Sequence, residues 1–351
     1  MTSRERVLTA LDLGVADRVP LDIWATAEVW AKLQQHFATD DNLLIRERLH
    51  IDGFAGCAPE YIGPPIPEHA DGTVENFWGM RTRPKEYDTG TYMEQYYYPL
   101  AFVETVADLD EYRWPSPDWF DFSTIRQQCE EHDERAIMAG YVAPFYYFNL
   151  LRGLEQSLVD MVANPELAHA IIARICEFFY GFSERLFEAA EGLIDMTQLT
   201  DDFGTQTDLM ISEQMFDEFF LGQYKRFADL MRRHGIRVFH HDDGAMWKLI
   251  PRMIDLGVNV LNPIQYKCGN LDLAWLKDTY GDRLAFHGGV DNQEVLPFGS
   301  VEDVIAETRK CLETLGTGGG YMLAPCHNIQ AVTPVENIIA MYETAYHEGR
   351  Y

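Results

Sequence analysis

Imidazoles, carboxylates and a thiol recur at the ends of short apolar runs in this chain. These are the groups that hold metals and move protons. His240-His241-Asp242-Asp243-Gly244 closes one run and Cys326-His327 closes another. Catalytic zinc takes three protein ligands of these types and keeps a fourth position open. His241 and Asp243 stand two residues apart across a turn that Gly244 permits, and Cys326 comes from a distant segment. His241, Asp243 and Cys326 are therefore the candidate metal ligands. His240 and His241 are adjacent, so in a strand they face opposite ways, and His241 is the inward candidate. Each residue also has an ordinary role open to it. Asp243 suits a solvated turn or a helix N-cap, and Cys326 suits a small buried hydrophobe. Cys326 beside His327 also spells a Cys–His nucleophile, but no third orienting group is fixed by the sequence.

Other polar residues gather at neighbouring run ends. Asp201 and Asp202 precede Gln206, Asn262 precedes Gln265, and His287 precedes Asp291 and Gln293. His287 and Asp202 join the candidate catalytic set, where they would do acid–base work. Asp201, Gln206, Gln265, Asp291, Gln293 and His327 are candidate substrate contacts, although Asp291 equally suits a helix cap. Tyr146 and Tyr147 follow Pro144 in an aromatic run that walls a pocket or joins the core.

Something must bring these run ends together. Candidate strands span 19–24, 53–58, 137–143, 194–199, 237–241, 258–264, 284–290 and 321–324, with helical periodicity between most of them. Strand followed by helix, repeated about eight times, predicts a parallel α/β architecture, a (β/α)8 TIM-type barrel. An open doubly wound sheet is the rival, but no glycine-rich phosphate loop follows the first strand. In a barrel the carboxyl ends of the strands face the active site, where the polar run ends lie. Residues 59–125 break the rhythm with Pro, Gly and aromatics. They are expected to be an insertion over the barrel mouth with a small hairpin, within a single domain spanning 1–351.

Composition narrows the function classes. The 351 residues carry 56 acidic and 28 basic side chains, a formal net charge of −28. Such a surface repels phosphate backbones and anionic lipid, so no nucleic-acid or membrane partner is expected. The six cysteines are scattered with no CxxC pair, which suits a reducing compartment. The first residues, MTSRERVLTALDLG, are expected to form an amphipathic helix and not a leader. No apolar run approaches the roughly 20 residues that span a bilayer, and the expected location is the cytoplasm.

Four stretches carry a family resemblance: TDDFGTQTDLMISEQMFDEFFLGQYKRFADLMRRHG, VFHHDDGAMWKLIPRMIDLGVNVLNPIQ, FHGGVDNQEVLPFGSVEDV and LGTGGGYMLAPCHNIQAVTPVENIIAMYETA. Together with the opening RERVLTALDLGVADRVPLDIW, they resemble the uroporphyrinogen decarboxylase-like superfamily along nearly the whole chain. The resemblance implies a distorted (β/α)8 barrel. True decarboxylases of that superfamily carry arginines after the first strand for the porphyrinogen carboxylates. Here the place reads DIWATAEVW, without arginine. The corrinoid-linked methyltransferase branch looks closer. Its members bind zinc through a His-x-Cys pair and a later Cys, matched here by His241, Asp243 and Cys326. Asp243 in place of a thiolate gives a harder site and favours an oxygen-containing substrate such as a methoxy compound. The resemblance thus implies Zn2+, a methylcobamide or other corrinoid carried by a partner protein, a small-molecule methyl donor or acceptor, and a homodimer, since related barrels pair. Two other functions fit the same scaffold: a metal-independent decarboxylase or lyase of a small acid, and a non-catalytic corrinoid- or metabolite-binding protein.

Overall fold

The computed structural model describes residues 1–87 and 90–351. In chain order its strands are β1 (Phe54–Ala55), β2 (Glu60–Tyr61), β3 (Val74–Glu75), β4 (Arg81–Tyr87), β5 (Gly90–Tyr97), β6 (Phe120–Asp121), β7 (Ala136–Val142), β8 (Met196–Leu199), β9 (Arg237–His241), β10 (Val260–Asn262), β11 (Ala285–Val290) and β12 (Tyr321–Pro325). Seven of them form one parallel sheet in the order β1-β7-β8-β9-β10-β11-β12. Residues 20–22 bridge its two edges. The Leu323 N–H donates to Pro20 O and the Asp22 N–H to Leu323 O, while the Asp52 and Gly53 N–H groups both donate to Leu21 O. The sheet thereby closes into the eight-segment barrel that the repeating pattern predicts.

Side-chain alternation along the strands layers the interior. Ala136, Met196, Phe239, Val260, Ala285 and Met322, one from each of β7 to β12, pack together at the amino end. The N-terminal helix Ser3–Leu11 plugs that end with Val7 and Leu11. Two residues further along four of these strands stand Gln198, His241, Asn262 and His287. An apolar floor therefore carries a polar storey, and the period of two sets both.

The insertion starts and ends in the antiparallel β2–β6 pair, and between them lies the antiparallel sheet β3-β4-β5. Phe77, Trp78 and Phe120 pack onto the long helix Pro165–Ala190 through Phe178 and Phe182. Gly90 at the start of β5 approaches Glu28, which stands just past the first barrel segment; a Cβ on Gly90 would sit 2.7 Å from Glu28 Oε1. None of the helices among the described residues is long and apolar enough to cross a membrane.

Candidate functional site

Strand geometry decides which imidazole enters the barrel. His240 turns outward, fully buried against the Tyr224 ring, with Nδ1 2.7 Å from Leu199 O. Burial without a carboxylate hydrogen bond lowers its pKa to about 4. His241 turns inward, 5.4 Å from the Trp24 ring centroid.

A directional chain of hydrogen bonds holds His241. Its Nδ1–H donates to Asn262 Oδ1 at 2.6 Å. The Asn262 amide donates to His287 Nδ1 at 2.6 Å, and His287 Nε2–H donates to Asp22 Oδ2 at 3.0 Å. Trp24 Nε1–H reaches the same Asp22 oxygen at 3.0 Å. Burial alone would raise Asp22, but the hydrogen bond and charge of His287, with the Ile23 backbone and Arg46, bring it below its ordinary value. The polarity of this chain leaves His241 Nε2 bare, the tautomer that can ligate a metal. His241, Asn262 and His287 lie side by side because β9, β10 and β11 are in matching register.

The loop after β9 brings a carboxylate to that nitrogen. Asp243 Oδ1 lies 3.8 Å from His241 Nε2, and Asp243 Oδ2 lies 3.4 Å from His327 Nε2. Ligand atoms of His241, Asp243 and His327 all lie within 4.8 Å of one another. Burial raises the Asp243 carboxyl, the charges of His241 and His327 oppose the rise, and Asp202 adds to it. Asp243 Oδ1 is buried without a hydrogen-bond partner, a cost that a bound cation would remove. Two glycines set this turn. Gly244 has φ +83°, and its missing Cβ would sit 2.6 Å from Thr205 O; a Cβ on Gly204 would collide with Asp243 O. The Gly244 N–H donates to Gln265 Oε1 at 2.8 Å, and the Asp243 N–H to Asp202 Oδ1 at 3.3 Å. Asp202 Oδ1 is itself 4.0 Å from His241 Nε2.

Gln206, Gln265, Gln293, Asp243 and His327 line one cleft of about 530 Å³. Four expectations change. Cys326 is not the third member of the cluster. Pro325 ends β12, the Cys326 thiol donates to Ile264 O at 3.3 Å, and burial beside Cys311 and Asp291 lifts it well above its ordinary value. His327 takes the inward place. Asp201 faces away from the cleft, accepting from the Tyr224 hydroxyl and the Tyr146 N–H, both at 2.7 Å. His287 is fully buried and reaches the cluster indirectly, by its hydrogen bond to Asn262 and by packing on Trp24. Asp291 accepts the Gln293, Glu294 and Val295 N–H groups and pairs with Lys267 at 2.8 Å, so it fastens the turn that leads into the helix Val295–Phe298. Tyr146 stays at the rim, and Tyr147 lines a separate cavity.

Asn262, Asp22 and Trp24 were not among the expected site residues. Asp22 had a visible signal: an acid inside an apolar strand run must find a partner. The Asn262 partnership depends on register between strands, which a single sequence does not display.

A closed parallel barrel with a polar, metal-capable cluster at its carboxyl rim defines a TIM-type scaffold with its site in the usual place. Residues 79–348 match the family model described as uroporphyrinogen decarboxylase (URO-D), which is well over half of the chain. The chain belongs to that family. A methylated-thiol–coenzyme M methyltransferase of Methanosarcina mazei is 24% identical over 202 residues, covering 56% of this chain and 49% of that protein. The chain thus matches about half the length of that relative. A solved methyltransferase structure from Methanosarcina mazei superposes with a TM-score of 0.68 at 19% identity over 99% of both chains, which shows the shared fold.

Proposed function

We propose that this protein is a metal-dependent methyltransferase that moves a methyl group between a small molecule and a corrinoid carried by a partner protein. Family membership and the methyltransferase relative support the class. One observation carries the metal: His241 Nε2, the Asp243 carboxylate and His327 converge within 4.8 Å while Asp243 Oδ1 lacks any partner. Three protein ligands with room for a fourth is the pattern of a catalytic zinc and not of a closed structural one. Zinc bound there would supply Lewis acidity toward the methyl donor or acceptor.

The chain's own groups have separable tasks. Asn262 presents His241 Nε2 to the site, and Gln265 fixes the turn that carries Asp243. Gln206 and Gln293 offer neutral hydrogen bonds from the cleft wall. Asp202, partly exposed at the lip, accepts the Asp243 N–H and faces His241 Nε2 at 4.0 Å. Among the described residues no Lys or Arg lines this cleft. A polycarboxylate such as uroporphyrinogen would lack counter-charges there, which favours methyl transfer over decarboxylation of that substrate.

Elemental analysis tests the reading. The native chain and Cys326→Ala should each hold one zinc per chain, whereas His241→Ala and Asp243→Ala should hold none. A metal-free native chain, or full retention in Asp243→Ala, would remove the proposal. With zinc present, methylation of free cob(I)alamin by an aryl methyl ether should be lost in the same two variants.

A further inference from the structure

A second space adjoins the barrel's polar storey, and the proposed metal chemistry does not use it. It is a cavity of about 420 Å³, within the size range of small-molecule sites and far above the single-water voids usual in protein interiors. The insertion contributes Trp78 and Phe120, the long helix contributes Phe178 and Phe182, and β7 and β8 contribute Tyr141 and Gln198. Among the described residues no Asp, Glu, His, Lys or Arg lines it. The rings brace one another edge to face. Trp78 meets Phe178 at 4.9 Å and 80°, and Phe120 meets Phe182 at 5.0 Å and 88°. Rings held this way cannot fall into the space without losing those contacts, so the cavity is preformed.

Two N–H groups give the ligand its chemistry. The Trp78 indole N–H is buried and has no partner. The Gln198 amide reaches only Met138 Sδ, at 3.9 Å, and a thioether is a weak acceptor. Donors in an apolar enclosure are ordinarily matched by an oxygen. An anion would shed its hydration here and meet no counter-charge. Gln198 pairs in register with Phe239, and about 7 Å of strand runs from Phe239 to His241, so the cavity wall and the metal cluster share the polar storey.

The geometry points to a binding site for a neutral aryl ether, its ring between the insertion and the β7–β8 wall and its oxygen facing the N–H groups of Gln198 and Trp78. The site is complete without metal and does not depend on methyl transfer. Where both hold, the ring is the body of the methyl donor.

Calorimetric titration of the full chain, zinc-loaded and zinc-free, tests this with para-dimethoxybenzene, para-xylene and para-methoxybenzoate. The diether should bind about tenfold tighter than the xylene in both forms, and the anion should bind more weakly than the diether. Ala58→Trp, at the exposed lip of the cavity, should block both neutral ligands. Gln198→Leu and Trp78→Phe should each narrow the preference for the diether, with unfolding curves confirming that both variants fold. Equal affinity of diether and xylene for the native chain, no binding of either, binding undisturbed by Ala58→Trp, or a full preference in both donor variants would overturn the inference. None of these results bears on zinc stoichiometry.

Discussion

The two sides of the barrel mouth hold their side chains by different means. On the β9–β12 side the cleft residues are placed by directional bonds: Asn262 fixes His241, Gln265 fixes the Asp243 turn, and His287 reaches through to Asp22. On the β7–β8 side no charged group among the described residues lines the cavity, and rings on the insertion, the long helix and the barrel brace one another. Hydrogen-bonded placement is exact to one atom and fails when one atom is removed. Ring packing distributes its cost over many weak contacts and fails by loss of volume. The two sides should therefore respond to mutation in different observables, stability on one and metal affinity on the other.

The largest effect separates them most clearly. Trp78 is 1% exposed and touches Phe77, Tyr147, Phe178 and Phe179. Trp78→Ala should cost about 3–5 kcal/mol of stability in denaturant unfolding and leave zinc affinity within about twofold. A fall in metal affinity as large as the fall in stability would mean that the two sides are one cooperative unit.

Asn262→Leu makes the opposite cut. It keeps the volume and removes both amide bonds, so His241 Nδ1 loses its acceptor and His287 Nδ1 its donor. Zinc affinity, measured by competition with a chromogenic chelator, should fall roughly ten- to hundredfold. Stability should fall by about 1–3 kcal/mol. Unchanged zinc affinity would reduce the Asp22–His287–Asn262 chain to a packing device.

The same contrast explains what the sequence disclosed. Barrel segments were legible because each is a short apolar run ending in polar residues. Alternation along β9 left one of His240 and His241 to face inward, and it is His241. Alternation stopped helping at Cys326, because Pro325 ends the strand and the next two residues leave its pleat. The residue that joins the His241–Asp243 cluster is therefore His327, one beyond the expected Cys326. The stretch of lost periodicity, 59–125, holds the small antiparallel β2–β6 and β3-β4-β5 pairings outside the barrel sheet. The cavity was not visible in the sequence, because its walls come from three segments far apart in the chain and carry no motif. Ring-on-ring packing leaves only aromatic composition in a sequence, whereas polar strand ends leave a pattern.

The smallest effect tests whether the polar side stops at the cleft wall. Asp291 had two roles open to it, and its four hydrogen bonds favour the structural one over the substrate contact. Asp291→Asn keeps the shape and loses the charge opposite Lys267, which should cost about 1 kcal/mol at neutral pH without altering zinc or aryl-ether binding. Burial pushes the Asp291 carboxyl up, but Lys267 and the Val295 and Gln293 N–H groups outweigh it, so the folded value lies below the ordinary 3.8. The folded state therefore favours the carboxylate, and this contribution is fully present above the unfolded value. It should disappear as pH falls below 3.8 through the lower folded value. Unfolding curves of native and variant chains should accordingly converge in acid and stay apart at neutral pH. A difference that persists undiminished in acid would count against the charge as its source. Weakened ligand binding at unchanged stability would return Asp291 to the substrate side of the wall.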